Sequence, residues 1–147
     1  MKKPAFIILE SAQSEYTVAV NSSDLKRVVT SPNCMEVFSS QHDLELEDIT
    51  AEEQSKFEKS IRSRYNIVRV GEQIALETTK DAYTAILCIE SSSQKTFIWP
   101  NALSTLTASG DKLTVGIFGV DQPIEHKLSH PATVQQVTEM FKLLNIH

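Results

Sequence analysis

Glycine is scarce in this chain, four residues in 147, and cysteine is scarcer still, with two. So little glycine leaves no phosphate cradle: Gly116 and Gly119 do not fit the dinucleotide pattern between a strand and a helix. No Gly-x-Ser-x-Gly elbow is present either, and the cluster Ser91-Ser92-Ser93 has the look of a hairpin turn. Cys34 and Cys88 show no CxxC spacing and no matching histidine pair. Each sits in an apolar, strand-like run, so both are expected as buried, reduced thiols. No apolar stretch approaches the roughly 20 residues that would cross a bilayer. Clustered Lys and Arg are missing as well. With a net charge of −5 and a pI near 5.3, the chain lacks the basic surface that displaces counterions from nucleic acid.

The start, Met1-Lys2-Lys3 before Phe6-Ile7-Ile8-Leu9, has the charge of a secretory signal. Its apolar run stops at Glu10, short of the usual core of about 7–15 residues, and reads instead as a first strand. A soluble protein is expected, cytoplasmic or within an assembled particle. At 147 residues and 41% hydrophobic composition, one domain spanning 1–147 is the default. Such a chain buries roughly 68–70% of its unfolded surface, so no metal or disulfide is needed to hold it.

What is present is strand pattern. Tyr83 to Glu90, within 82–90, alternates Ala85, Leu87 and Ile89 with Ile86 and Cys88, apolar on both faces, which marks a central strand covered on two sides. Ser91 to Gln94 turns it into Lys95 to Trp99, where Pro100 breaks the ladder. Phe6 to Glu10 and Glu15 to Val20 form an opening hairpin around Ser11-Ala12-Gln13-Ser14. Ser22 or Ser23 is then expected to cap a short helix through Val29, ended by Ser31-Pro32-Asn33, and Cys34 to Phe38 is a further strand.

Residues 39–53 are acidic, with Asp43, Glu45, Glu47, Asp48, Glu52 and Glu53 and no Lys or Arg. A calcium loop counted from Asp43 needs Gly at its sixth place and finds Asp48, so a solvated acidic loop is expected. Thr50-Ala51-Glu52-Glu53 is a capping box for a helix to about Tyr65 that buries Phe57, Ile61 and Tyr65. Asn66 to Val70 and Gln73 to Thr78 form a hairpin around Gly71, leading into the central strand as an antiparallel meander. Ser109-Gly110-Asp111 turns into a strand Lys112 to Phe118. Gly119 to His130 is loop-like, with a short pairing segment at Ile124 to Leu128. A last helix opens near Pro131, with a Thr133/Gln136 capping pattern and an apolar face of Val134, Val137, Phe141 and Leu144.

Residues 6–38 and 86–118 suggest an internal repeat. Glu10-Ser11 matches Glu90-Ser91 and Asn21 matches Asn101. After a two-residue slip beyond the Asn, Leu25 and Val28 fall against Leu103 and Leu106, and Met35 and Val37 against Leu113 and Val115. Shared β-composition produces such a match too, and the sequence leaves both explanations open.

His126 and His130 stand at a spacing that shares a metal on a helix, yet they precede the helix and have no third ligand nearby. His42 and His147 have no recognisable partner. Phe97 and Trp99 lie on one face of a strand. Core packing is their plain role, and an exposed patch, with Trp99 as its anchor, is the functional one.

The expectation is an α+β domain: a mainly antiparallel sheet of hairpins and meander, two related β-rich halves among its readings, covered by two or three helices including a C-terminal one. Functionally it is a non-catalytic structural or protein-interaction protein. It would be an accessory component of a larger assembly such as a virus particle, without cofactor or metal, self-associating as a homo-oligomer or binding another subunit, and binding neither nucleic acid nor membrane. The interaction residues would be Trp99, Phe97, Asp43, Glu45, Glu47 and Asp48. The alternative is an acidic inhibitor or immunity-type protein that blocks a basic active site or nucleic-acid-binding surface through 43–53.

Overall fold

In the computed structural model, residues 6–11, 15–80, 82 and 84–144 are described. The lysines of the start, residues 12–14 of the first turn, Asp81, Tyr83 and His147 lie outside the described residues. Strand β8, Ala85–Glu90, is the middle of the molecule, and every residue from Ala85 to Ile89 is buried. Ile86 and Cys88 join one apolar cluster while Ala85, Leu87 and Ile89 join the other, as period two dictates for a strand between two layers.

The central sheet has seven strands in the order β5 (Asp43–Glu47), β4 (Cys34–Ser39), β3 (Leu25–Ser31), β9 (Lys95–Ile98), β8, β6 (Asn66–Val70), β7 (Ile74–Glu77). Neighbours are antiparallel except β6 and β8, which run parallel. The simple meander expected over 66–99 is corrected by this pair. After the β6–β7 hairpin the chain returns past the end of β6, where Thr79 N–H donates to Asn66 Oδ1 at 2.8 Å and Asn66 N–H to the Thr84 carbonyl at 3.0 Å. β7 has no fully buried residue and takes the edge; β8, apolar on both faces, takes the interior.

One face of this sheet carries the hairpin β1 (Phe6–Ser11) and β2 (Tyr16–Asn21) together with helix α1 (Ala51–Arg64). The other carries a three-stranded sheet, β10 (Leu103–Ser109), β11 (Lys112–Ile117) and β12 (Ile124–Lys127), and helix α2 (Val134–Leu143). Both helices start with complete capping boxes, Thr50 with Glu53 and Thr133 with Gln136. α1 buries Phe57 and Ile61. α2 buries Met140, with Leu144 buried at its C-cap. Two details of α2 differ from expectation: Pro131 lies before the cap and not at the first helical position, and Val134 points out, 85% exposed, while Met140 takes the inward place.

The helix expected from Ser22 or Ser23 to Val29 is a strand. A bulge between Leu25 and Arg27 shifts the pleat by one, so Leu25 and Val28, three apart, both face inward. That spacing mimics a helical stripe, while β-branched Val28, Val29 and Thr30 favour extension. The acidic loop is also partly corrected: Asp43–Glu47 is the edge strand β5, seated on β4 by Leu46, which is buried opposite Met35.

β3–β4 and β10–β11 share one geometry. Their registers coincide when each number is raised by 78, from Ser31↔Cys34 and Ser109↔Lys112 at the turn to Leu25↔Ser39 and Leu103↔Ile117, with the bulge at the same place. Asn33 and Gly110 supply the positive φ in these two turns, 63° and 61°. The flanking backbone bonds recur as well: Ser40 N–H to Asp24 O and Phe118 N–H to Ala102 O, at 3.1 and 2.9 Å, and Asp24 N–H to Asn21 O and Ala102 N–H to Trp99 O, at 3.0 and 2.9 Å. Each three-stranded run then leads to a capped helix.

Candidate interaction surface

Phe97 and Trp99 are core residues, 1% and 4% exposed. Trp99 stands edge-on to Tyr65 at 5.7 Å, and its indole N–H is buried without a hydrogen-bond partner. Neither aromatic offers the folded chain's surface to a partner, because both join the cluster that α1 and β1–β2 cover. Asp43, Glu45 and Glu47 are exposed along β5, and Glu45 lies opposite Glu36. Asp48 follows at φ 58°, its carbonyl accepting from the Ser11 hydroxyl at 3.0 Å and tying β1 to the end of β5.

Several groups suited to chemistry are buried or engaged within the chain. Cys88 is sealed between layers, and burial, with Glu90 adding to it, pushes its thiol up to about 12. Burial and then the charge of Glu45 also raise Cys34. Both therefore stay protonated at neutral pH, where only a thiolate is a good nucleophile. His126 is part of β12, and its Nε2 donates to the Gly71 carbonyl at 2.6 Å, while His130 is exposed beyond the strand. No helix carries the two together. Among the described residues, no group of three or more His, Cys, Asp or Glu is placed to hold a metal ion. An open groove of about 460 Å³ runs past Ser91, Gln94 and α1, and several of its polar side chains are engaged within the chain. Lys95 meets Glu58 at 3.1 Å, and the Gln54 amide donates to the carbonyls of Ser31 and Cys34. Among the described residues, no helix is long and apolar enough to cross a membrane.

The sheet edges differ sharply. β5 is lined by Asp43, Glu45 and Glu47; β7 ends in Glu77, bridged to Arg62 and Arg69; β12 carries Glu125, bridged to Lys112 at 3.0 Å, and Lys127. Such charges keep strands from pairing with strangers. β2 reads Tyr-Thr-Val-Ala-Val-Asn and β10 reads Leu-Ser-Thr-Leu-Thr-Ala-Ser, without one charged residue in either. Among the described residues, each has a neighbour on one side only, β1 and β11 respectively. Beside β2, Phe6 and Ile8 project outward from β1, each 49% exposed. In the sequence these two edges are marked only by the lack of charge in two short strands. A search of protein-family models, curated proteins and solved structures finds no match to this chain.

Proposed function

We propose that this chain is a non-catalytic structural protein that works by extending β-sheets from one molecule to the next, as a small component of a larger assembly. The observation that carries the reading is the contrast among its edges: β5, β7 and β12 are charged, whereas β2 and β10 are uncharged, six and seven residues long, and open on one side among the described residues. The burial of Cys88 and the engagement of His126, Gln54, Lys95 and Glu58 in internal contacts support a role without catalysis. The reading also takes the two hairpin–meander–helix units as related halves, supported by the shared register and backbone bonds.

The direct test is the particle mass by sedimentation or light scattering over a dilution series. A mass above the 16.4 kDa of one chain is expected. A strict monomer at the highest soluble concentration that also binds no other protein overturns the reading.

A second reading, an acidic inhibitor, is favoured by the exposed row Asp43, Glu45 and Glu47 with Glu36 beside it. Replacing Glu45, Glu47 and Glu52 by Gln separates the two. Self-assembly survives under the first, whereas capture of a basic partner collapses under the second.

A further inference from the structure

The chain already contains one junction of the kind its bare edges lack. β9 of the second hairpin adds to the edge of β3, with Arg27↔Ile98, Val28↔Phe97, Val29↔Thr96 and Thr30↔Lys95 opposed, and Trp99 N–H donates to Lys26 O at 2.9 Å just beyond them. β3 is the counterpart of β10, and β9 the counterpart of β2, by the same 78-residue relation that the backbone bonds obey. The hairpins are also matched: Ile7↔Val20 corresponds to Leu87↔Ile98, and the two-residue slip falls in the connection between paired strands rather than after Asn21. β1–β2 and β10–β12 sit on opposite faces of the central sheet, so one chain's β2 does not meet its own β10.

We infer that β2 of one molecule adds to β10 of a second copy, repeating between chains the junction that β9 and β3 make within one. This rests on the proposed assembly role and names its partner and register: Val20 opposite Thr105, Ala19 opposite Leu106, Val18 opposite Thr107 and Thr17 opposite Ala108, with Asn21 N–H donating to Ser104 O. Because two different surfaces meet, copies join head to tail, in a ring where the rotation closes and a filament where it does not.

A second observation points to the same partner. In the second hairpin the counterparts of Phe6 and Ile8 are Ile86 and Cys88, which are buried in the cluster that includes Phe57 and Ile61 of α1. The counterparts of Phe57 and Ile61 are Met140 and Leu144, each set the same distance beyond its capping Thr; both are already buried in the single chain, and the apolar surface left open beside them on α2 is half-buried Val137 and Phe141. Docking in the inferred register brings the exposed Phe6 and Ile8 of the incoming copy under α2. The ion pair Glu58–Lys95 at the internal junction has Phe141 and Thr17 as its counterparts, so this contact is apolar. Assembly should therefore persist in about 1 M salt, where the screening length falls to about 3 Å.

The test is cross-linking between single-cysteine variants in a Cys34→Ser background, which leaves only the buried Cys88. Directly opposed residues have Cβ atoms about 4.5–5.5 Å apart, close enough for a disulfide after slight adjustment. Ala19→Cys mixed with Leu106→Cys should give a covalent dimer at least about fivefold faster than the off-register mixture of Ala19→Cys with Ala108→Cys. Thr107→Lys, at an exposed position that leaves the monomer's core untouched, should weaken association about tenfold or more, and Glu45→Lys on β5 should not. Assembly that ignores Thr107→Lys and gives no register-specific cross-link overturns the β2–β10 junction and leaves the assembly role standing. A native protein that stays monomeric overturns the junction, and overturns the assembly role as well if it also binds no other protein. A cross-linked species of monomer mass from the double variant Ala19→Cys/Leu106→Cys shows β2 closing on its own β10 and also overturns the inference.

Discussion

β1–β2 and β8–β9 are antiparallel hairpins whose leading strands carry apolar side chains on both faces, yet only the second is enclosed. Ile86 and Cys88 are buried beneath α1, while Phe6 and Ile8, at the corresponding places, are half exposed. What separates them is the neighbours: β9 has β3 and β8 has β6 along their outer edges, while among the described residues β1 and β2 pair only with each other. Apolar pattern in a strand therefore reports what it can bury, and the count of available layers decides how much is buried within one chain.

The largest expected effect tests this asymmetry directly. Ile86→Ala removes side-chain atoms from a closed core and should cost about 2–5 kcal/mol in denaturant unfolding. Phe6→Ala, the corresponding change in the first hairpin, should fall within about 0.5 kcal/mol in dilute monomer, since its side chain is half in water already. Equal losses at both positions would mean that Phe6 is packed in the single chain, and the contrast between hairpins would disappear.

The enclosed hairpin should also respond to alkali. Burial holds the Cys88 thiol near 12 when folded, against an ordinary value of 9.0. Between those values the unfolded chain loses this proton and the folded chain keeps it, so the stabilising contribution is intact below pH 9 and drains away as pH rises toward about 12. A shift of this size corresponds to at most about 4 kcal/mol. Cys88→Val, close in volume, should flatten the fall of stability measured between pH 9 and 11. An unchanged slope would place the alkaline sensitivity in other groups.

Much of this fold is legible locally. The capping boxes at Thr50 and Thr133 fix the helix starts, and alternation at Ala85–Ile89 identifies the doubly covered strand. What escapes local reading has specific causes. The bulge at Leu25/Arg27 turns a strand's period into a helix-like spacing of three. β10 has no fully buried side chain, so Leu103, Leu106 and Ala108 leave only a weak stripe among Ser and Thr. The parallel pairing of β6 with β8 depends on which strand can accept cover on both faces, a competition between distant segments. The proposed interaction surface is harder still to read, because aromatic residues draw attention to Phe97 and Trp99, which are buried. An unpaired edge becomes visible only when every other strand has been given its neighbours.

The smallest effect sharpens the comparison between the two meanders at one matched pair. In the first, Arg27 stacks its guanidinium 4.0 Å from the centre of the Phe38 ring. In the second the same places hold Thr105 and Gly116, and a Cβ on Gly116 would collide with Thr105 Oγ1. Gly116 has no positive φ, so space and not backbone strain keeps it bare. Gly116→Ala should therefore cost about 1–3 kcal/mol through overpacking. In a Thr105→Ala background the obstructing hydroxyl is gone and the cost should drop below about 1 kcal/mol, a coupling readable in a double-mutant cycle. If the two changes instead add independently, the Thr105 side chain swings aside freely, and the close contact contributes nothing to holding β10 against β11.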